Sequence, residues 1–178
     1  YLDRDAWANR PPQKSATVRL STGRRYYIEA PHRDILFGDH LSVAWQGPGF
    51  SRQIIGNSAL EYPLAPAERG LLRQEVWSGV GGNDVANLTA LGTYPGAPNT
   101  SGTLAQSAGF KAGTNVAENF GERISGYVVA PETGRYTFWI ASDDASELWL
   151  STNDHPTNRV KLANVSGSVA EQAWDAQT

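Results

Sequence analysis

Short runs of alternating or aromatic-rich residues recur along the chain and predict a protein built from β-strands. Each run is bounded by Gly, Pro, Asn, Asp or Ser, the residues that end strands and form turns. The predicted strands are "ATVRLS" (16–21), "RRYYIEA" (24–30), "LSVAWQ" (41–46), "LLRQEVW" (71–77), "RISGYVVA" (123–130), "RYTFWIA" (135–141) and "SELWLS" (146–151). This spacing is typical of a sandwich or barrel. The predicted fold class is therefore all-β, an antiparallel β-sandwich.

The strand at 135–141 is predicted to be central in its sheet. Because strand side chains alternate between faces, Tyr136 and Phe138 share one face while Trp139 lies on the other, so both faces are expected to be covered. The turn "PETG" (131–134), which precedes this strand, has the Pro-to-Gly chemistry of a tight turn. It predicts an antiparallel hairpin between this strand and the predicted strand before it.

Residues 78–122 are expected to wrap around the sandwich. The segment is rich in Gly, Asn, Thr, Ser and Pro and shows too little apolar periodicity for regular structure. A stretch of this length is uncommon as an unsupported loop. The sandwich is therefore predicted to carry long wrapping loops.

Composition excludes several classes of function. The 178 residues are enough for one ordinary globular domain. With 15 Lys and Arg against 18 Asp and Glu, a net charge of −3 and no block of basic residues, binding to nucleic acid or anionic membranes is not expected. No apolar run approaches the length that crosses a bilayer, so membrane insertion is not expected either. The absence of cysteine excludes disulfides and thiolate metal sites.

Patterns of the common catalytic sites are absent from the sequence. The acidic residues offer no pair that the sequence places at the separation used by glycosidases, and no Ser-His-Asp grouping, phosphate loop or nucleophile elbow occurs. His32, His40 and His155 lack a spacing suited to zinc and are expected in loops or at the surface. Large aromatic residues of the strands are expected in the core rather than on a sugar platform: Tyr26, Tyr27, Trp45, Trp139 and Trp149. The protein is predicted not to be an enzyme.

Three long stretches resemble blocks of a known domain family. They are "GLLRQEVWSGVGGNDVANL" (70–88), "ERISGYVVAPETGRYTFWIASDDASELWLSTNDHP" (122–156) and "GRRYYIEAPHRDILFGDHLSVAWQGPG" (23–49). Together they resemble the protective-antigen/flocculin-type domain, a β-sandwich module of bacterial toxins, glycosidases and adhesins. In that family the last of these blocks follows the other two, whereas here it comes first. The resemblance therefore implies a closing half at 1–64, a linker at 65–69 and the opening half of a second domain at 70–178.

Neither half is expected to fold alone, because each would leave an apolar face and sheet edges open to water. Three arrangements stay open. The halves close on each other within one chain, they complete halves of neighbouring chains, or the chain is one window on a longer tandem polypeptide. The similarity of "DRDAWANR" (3–10) to "AEQAWDAQ" (170–177) favours an array of repeats, in which copies of the protein are partners of one another.

The neighbouring residues Asp143 and Asp144 form the candidate metal site. Adjacent carboxylates repel unless a cation or hydrogen-bond donors neutralise them, and calcium accepts about six to eight oxygen ligands. In the adhesin branch of the family, two such aspartates are joined by a cis peptide and face one calcium ion, which holds sugar hydroxyls. The resemblance implies the same roles here. It also implies further ligands from the loop "HRDILFGDHL" (32–41), Asp39 first and Asp34 second.

These observations predict an extracellular or cell-surface adhesion module with calcium-dependent glycan binding. The alternative is a structural subunit of an extracellular fibre or surface array, completed head-to-tail by neighbouring modules and without sugar binding. The apolar residues in the 32–41 loop depart from the Gly-rich version of the family. The sugar specificity therefore stays open.

Overall fold

Two antiparallel sheets share one core in the computed structural model, which describes residues 12–36, 38–62, 70–105, 109–114 and 117–177. The strands are β1 (Val18–Leu20), β2 (Arg25–Asp34), β3 (His40–Gly47), β4 (Phe50–Ile54), β5 (Leu60–Glu61), β6 (Leu71–Ser78), β7 (Thr100–Ala105), β8 (Phe120–Val129), β9 (Gly134–Asp143), β10 (Ser146–Ser151) and β11 (Arg159–Val165). One short helix, α1 (Val85–Thr89), follows β6. The predicted all-β sandwich is confirmed.

The small sheet has the strand order β1-β9-β3-β4, and the large sheet has the order β11-β10-β2-β8-β6-β7, with β5 beside β8. The predicted central position of 135–141 is confirmed, because β9 lies between β1 and β3. Trp45 lies at the centre of an aromatic cluster in the core. Its ring centroid is 5.3 Å from that of Tyr136, 5.4 Å from that of Phe50 and 6.2 Å from that of Phe138.

The predicted hairpin between 123–130 and 135–141 is wrong. The strand β8 pairs with β2, β5 and β6 in the large sheet, whereas β9 pairs with β1 and β3 in the small one. The turn between them carries the chain from one sheet to the other. Val128 of β8 and Phe138 of β9 are both completely buried in the shared core. An apolar face of one strand packs equally well against a strand of the opposite sheet or beside a strand of the same sheet. Turn chemistry alone therefore predicts that the chain reverses direction, but not which sheet the next strand joins.

Each sheet contains strands from both parts of the chain. From the part after residue 69, β9 lies between β1 and β3, and from the part before residue 63, β2 lies between β10 and β8. The β2–β8 pairing runs over all ten residues of each strand. In this single chain, β2 and β9 thus each complete a sheet whose other main strands come from the other part of the chain. The boundary at residue 64, the linker 65–69 and the segment 3–10 lie outside the described residues, so the division into half-domains stays a prediction.

The segment expected to lack regular structure contains α1 and β7. A reciprocal pair of hydrogen bonds between Asp84 and Asn87 caps α1, and the Asp84 N–H donates to the Asn87 Oδ1 at 3.0 Å. The strand β7 is held by backbone pairing with β6, which its polar sequence does not reveal. Trp77, Val80 and Leu88 form a second small apolar cluster. Of the described part of the segment, β7 thus lies in the large sheet, whereas residues 109–112 bond to β3 of the small sheet.

Candidate functional site

The two neighbouring aspartates lie where β9 ends. Asp143 is the last residue of β9, Asp144 follows it, and the peptide bond between them is cis, as the resemblance implies. Both residues are half-buried. The Ser142 hydroxyl donates to the carbonyl oxygen of Asp144 at 2.6 Å and lies 2.6 Å from the Ser146 hydroxyl. These contacts hold the turn between β9 and β10 in a defined shape.

The connection from β2 to β3 brings two more aspartates to this turn. Because β2 pairs with β10 and β3 pairs with β9, the loop between β2 and β3 passes beside the β9–β10 turn. The Ile35 N–H donates to the Asp144 Oδ2 at 2.9 Å, and the Ala117 N–H donates to the Asp39 Oδ2 at 3.0 Å. Asp34, the last residue of β2, lies at the same end of the sandwich.

The Asp34 carboxylate is the most isolated of the four. The residue is 1% exposed, and neither carboxylate oxygen has a hydrogen-bond partner among the described residues. The pKa of Asp34 is raised to about 6, mainly by burial and less by the charges of Asp144, Asp39 and Asp143, against an opposing effect of His32. The pKa of Asp143 is also raised, by burial and then by the charge of Asp144. Negative charge is thus concentrated here, and Arg33 and His32 oppose it electrostatically without a hydrogen bond to the Asp34 carboxylate.

The donor chemistry of the site fits calcium. Four aspartates supply only oxygen atoms, which calcium prefers, and a cation is what a buried carboxylate without donors lacks. The side chains do not form a closed ligand shell. Within the described ranges, no group of three or more His, Asp or Glu side chains converges closely enough to hold a metal ion as it stands. Backbone carbonyls and water would have to supply the remaining oxygens of a calcium site.

The C-terminal segment forms one side of the site. Ser168 hydrogen-bonds the Asp143 side chain, and the Val169 N–H donates to the Ser142 carbonyl oxygen at 2.9 Å. On the opposite loop Leu36 is 47% exposed, the one large hydrophobic residue in the described part of the chain that is exposed. The site is therefore polar at its floor and has one apolar side chain at its rim.

The structure brings the predicted site residues Asp143, Asp144 and Asp39 to one end of the sandwich, and Asp34 joins them there. The expectation that His32 is a surface or loop residue is wrong, because His32 lies on β2 and is 0% exposed. Its position could have been predicted, since the two-residue period places it on the same face as the core residues of β2. The expected burial of the strand aromatics is confirmed for Tyr26, Tyr27, Trp45 and Trp139, whereas Trp149 is half-buried.

Comparisons with known proteins point to the same region. The PA14 domain family model matches residues 87–160, a range that includes Asp143 and Asp144. Fibrocystin of Canis lupus familiaris is 37% identical over 109 residues, which are 60% of this chain and 2% of that protein. Fibrocystin of Mus musculus is 38% identical over 58 residues, which are 32% of this chain and 1% of that protein. The chain thus spans a very small part of these curated relatives. No solved structure shows significant similarity to it.

The described helices give no sign of a transmembrane segment. None of them is long and apolar enough to cross a bilayer.

Proposed function

We propose that this protein is an extracellular, non-enzymatic adhesion module that binds glycans with the help of a calcium ion. The proposed calcium ligands are Asp143, Asp144, Asp39 and Asp34. The observation that carries the proposal is the Asp34 carboxylate, which is buried, has no hydrogen-bond donor among the described residues and lies near three further aspartates. A protein keeps such a group at a cost in stability, and a bound cation is the simplest reason to keep it.

The chain's own residues shape the site in two ways. Backbone amides of Ile35 and Ala117 orient the carboxylates of Asp144 and Asp39. The Ser142 hydroxyl fixes the backbone between the two neighbouring aspartates. Calcium, when bound, would neutralise the carboxylates and offer coordination positions to sugar hydroxyls.

The glycan part of the proposal and the location outside the cell are supported by similarity. The PA14 domain match covers the turn that carries the neighbouring aspartates, and the curated relatives are fibrocystins. Both favour an extracellular or surface-facing module of the carbohydrate-binding or adhesion type. Assembly of copies into a fibre stays a prediction from the sequence.

Calcium titration of the metal-free protein tests the first part. Calcium at about 100-fold over its dissociation constant should stabilise the native state by about 2.7 kcal/mol, through binding to the folded form alone. The double variant Asp143→Asn, Asp144→Asn should lose this stabilisation. Asp154→Asn makes the same chemical change on an exposed turn and serves as the matched control. An unmodified protein whose thermal midpoint ignores calcium would contradict the calcium site.

A glycan panel tests the second part. The calcium-loaded protein should bind a subset of glycans, and a chelator or the double aspartate variant should abolish that binding. Asp154→Asn should bind the same glycans as the unmodified protein. Calcium binding without any glycan binding would overturn the lectin role and leave calcium as a structural ion.

A further inference from the structure

A buried chain of hydrogen bonds links the turn at the aspartates to the interior of the large sheet. The Gln74 Nε2 donates to the Glu122 Oε2 at 2.6 Å. The other carboxylate oxygen, Oε1, lies 3.0 Å from the Nδ1 of His32. The Nε2 of His32 lies 2.7 Å from the carbonyl oxygen of Asp143. His32 is 0% exposed and Glu122 is 2% exposed, so the contact between them is shielded from water, whereas the bonds to Gln74 and to the Asp143 carbonyl are partly buried.

Strand register explains how these groups meet. His32 of β2 and Glu122 of β8 are direct partners in the antiparallel pairing. Gln74 lies on β6, the other neighbour of β8, diagonally across from Glu122. All three belong to the large sheet, whereas Asp143 belongs to β9 of the small sheet. Of the three side chains, His32 is therefore the one that reaches across the core to the opposite sheet.

The chemistry of the partners determines the orientation of the His32 ring. The carbonyl oxygen of Asp143 can only accept, so the Nε2 of His32 carries a hydrogen and donates it. Glu122 holds the opposite side of the ring, and Gln74 holds Glu122. The ring of Phe120 packs edge-on against the imidazole, with 6.0 Å between centroids and 89° between planes. The imidazole is thus fixed at both nitrogens and on one face.

We propose that His32, oriented by Glu122 and Gln74, is a positioning residue for the site at Asp143 and Asp144. It fixes the backbone of Asp143 from inside the core, so that the two neighbouring carboxylates keep a common orientation toward a ligand. His32 itself touches neither the ion nor the glycan. The inference rests on the proposed function for the identity of the ligand, but the positioning of the turn is a property of the metal-free protein.

Calcium affinity gives the first test. His32→Phe keeps a planar ring and removes both nitrogens, and it should weaken calcium binding about tenfold or more, as loss of an outer-shell partner does at other metal sites. His32→Gln can still offer an N–H to the Asp143 carbonyl and should recover part of the affinity. His155→Phe makes the same change at an exposed position and should leave the affinity unaltered.

A second measurement needs no calcium. In the metal-free protein, nitrogen NMR of the imidazole should show a hydrogen on the Nε2 of His32. His32→Phe should shift the backbone amide signals of Asp144 and Ala145, and His155→Phe should not. Gln74→Met removes only the far end of the chain of hydrogen bonds and should move the same signals by a smaller amount. This variant remains informative if His32→Phe does not fold.

The two tests separate the two proposals. If the unmodified protein binds no calcium but the amide shifts occur, the proposed function fails and the positioning role stands. If His32→Phe folds and leaves the calcium affinity and the two amide signals unchanged, the positioning role of His32 is overturned. If His32→Phe does not fold, unchanged affinity and amide signals in Gln74→Met overturn it instead. A hydrogen found only on the Nδ1 would overturn it as well, because no donor would then face the Asp143 carbonyl.

Discussion

Buried carboxylates occur in two regions of this sandwich, and their surroundings differ. Glu29 and Glu75 of the large sheet are each 2% exposed, and Asp34 at the end of the sandwich is 1% exposed. The two glutamates have cationic or hydroxyl partners: Tyr27 and Arg159 for Glu29, and Arg73 and Arg123 for Glu75. Asp34 has no hydrogen-bond partner among the described residues. The two regions therefore bury their carboxylates equally and differ in whether those carboxylates have partners.

The difference separates a structural role from a functional one. A fully paired buried carboxylate adds little net stability by itself, but the fold loses much stability when its partner is removed. A buried carboxylate that lacks partners destabilises the fold until a ligand arrives. On this basis the large-sheet glutamates hold strands together, whereas the aspartate end has the unpaired buried charge that the proposed cation site requires. Changing one charge at a time in each region tests this interpretation.

Removal of Glu75 should have the largest effect. Glu75→Ala leaves Arg123, whose side chain is 17% exposed, and Arg73 without their carboxylate. We expect a loss of about 3 kcal/mol in the free energy of unfolding, as for other broken buried pairs. Urea denaturation measures it, and Glu118→Ala, at an exposed position, is the control. A loss no larger than that of the control would mean that Glu75 is not structurally paired.

The opposite sign is expected at Asp34. In metal-free protein at pH 7, Asp34→Asn should stabilise the fold by about 2 kcal/mol. Folding raises the pKa of Asp34 from 3.8 to about 6, so ionised Asp34 lowers the free energy of unfolding at pH 7, and the variant removes this cost. The expected gain is smaller than the full pKa shift implies, because a buried amide at this position would also lack hydrogen-bond partners. With saturating calcium the order should reverse, because the variant lacks one proposed ligand.

The pH dependence of the Asp34 effect follows from the sign of its pKa shift. Folding raises the pKa from 3.8 to about 6, so the folded state binds more protons than the unfolded state between these values. The contribution of Asp34 is therefore most favourable below about pH 4 and is lost as the pH rises through 6. The stability difference between Asp34→Asn and the unmodified protein should grow over that window. A difference that stays constant from pH 4 to pH 7 would show that Asp34 does not titrate as inferred.

The sequence predicts much of the fold because strand periodicity is local. The seven predicted strands all exist, with ends shifted by a few residues. Strands without a clear apolar pattern escaped prediction, as β7 shows, because backbone pairing to a neighbour holds them. The failed hairpin has the same cause. The sheet to which a strand belongs depends on its partners across the whole chain, which a turn motif does not specify.

The site was predictable in part for a related reason. Two of the candidate ligands, Asp143 and Asp144, are adjacent in the sequence. The third, Asp39, lies in a block that resembles the same domain family. Asp34 stands out only because no described hydrogen-bond donor reaches its carboxylate, which the sequence does not reveal. The pairing of Glu75 depends on the β6–β8 register, which places Arg123 opposite it. The proposed role of His32 likewise depends on the β2–β8 register. Distances between strands far apart in sequence decide these matters.

A smaller loss is expected when one of two donors to a buried carboxylate is removed. The Tyr27 hydroxyl donates to the Glu29 Oε2 at 2.7 Å, and burial followed by the charge of Glu29 raises the pKa of Tyr27 well above its usual value, so the donor keeps its hydrogen. Tyr27→Phe should cost about 1.5 kcal/mol, since Arg159 still pairs with Glu29. Tyr127→Phe is the control, because its hydroxyl bonds to no other described residue. Equal stability of the two variants would show that the hydrogen bond from Tyr27 to Glu29 does not stabilise the fold.

The smallest effect is expected where the same kind of pair meets water. Lys161 donates to Glu147 at 3.0 Å, but their side chains are 43% and 24% exposed. Lys161→Ala should cost about 0.5 kcal/mol at low salt, because water solvates both charges when the pair is broken. The Trp149 Nε1 also continues to donate to Glu147 at 2.9 Å. The effect should vanish near 1 M salt, where screening acts over about 3 Å. If Lys161→Ala instead cost as much stability as Glu75→Ala, burial would not determine how much a carboxylate pair contributes to stability. The burial of Asp34 without partners would then be no evidence for a ligand site.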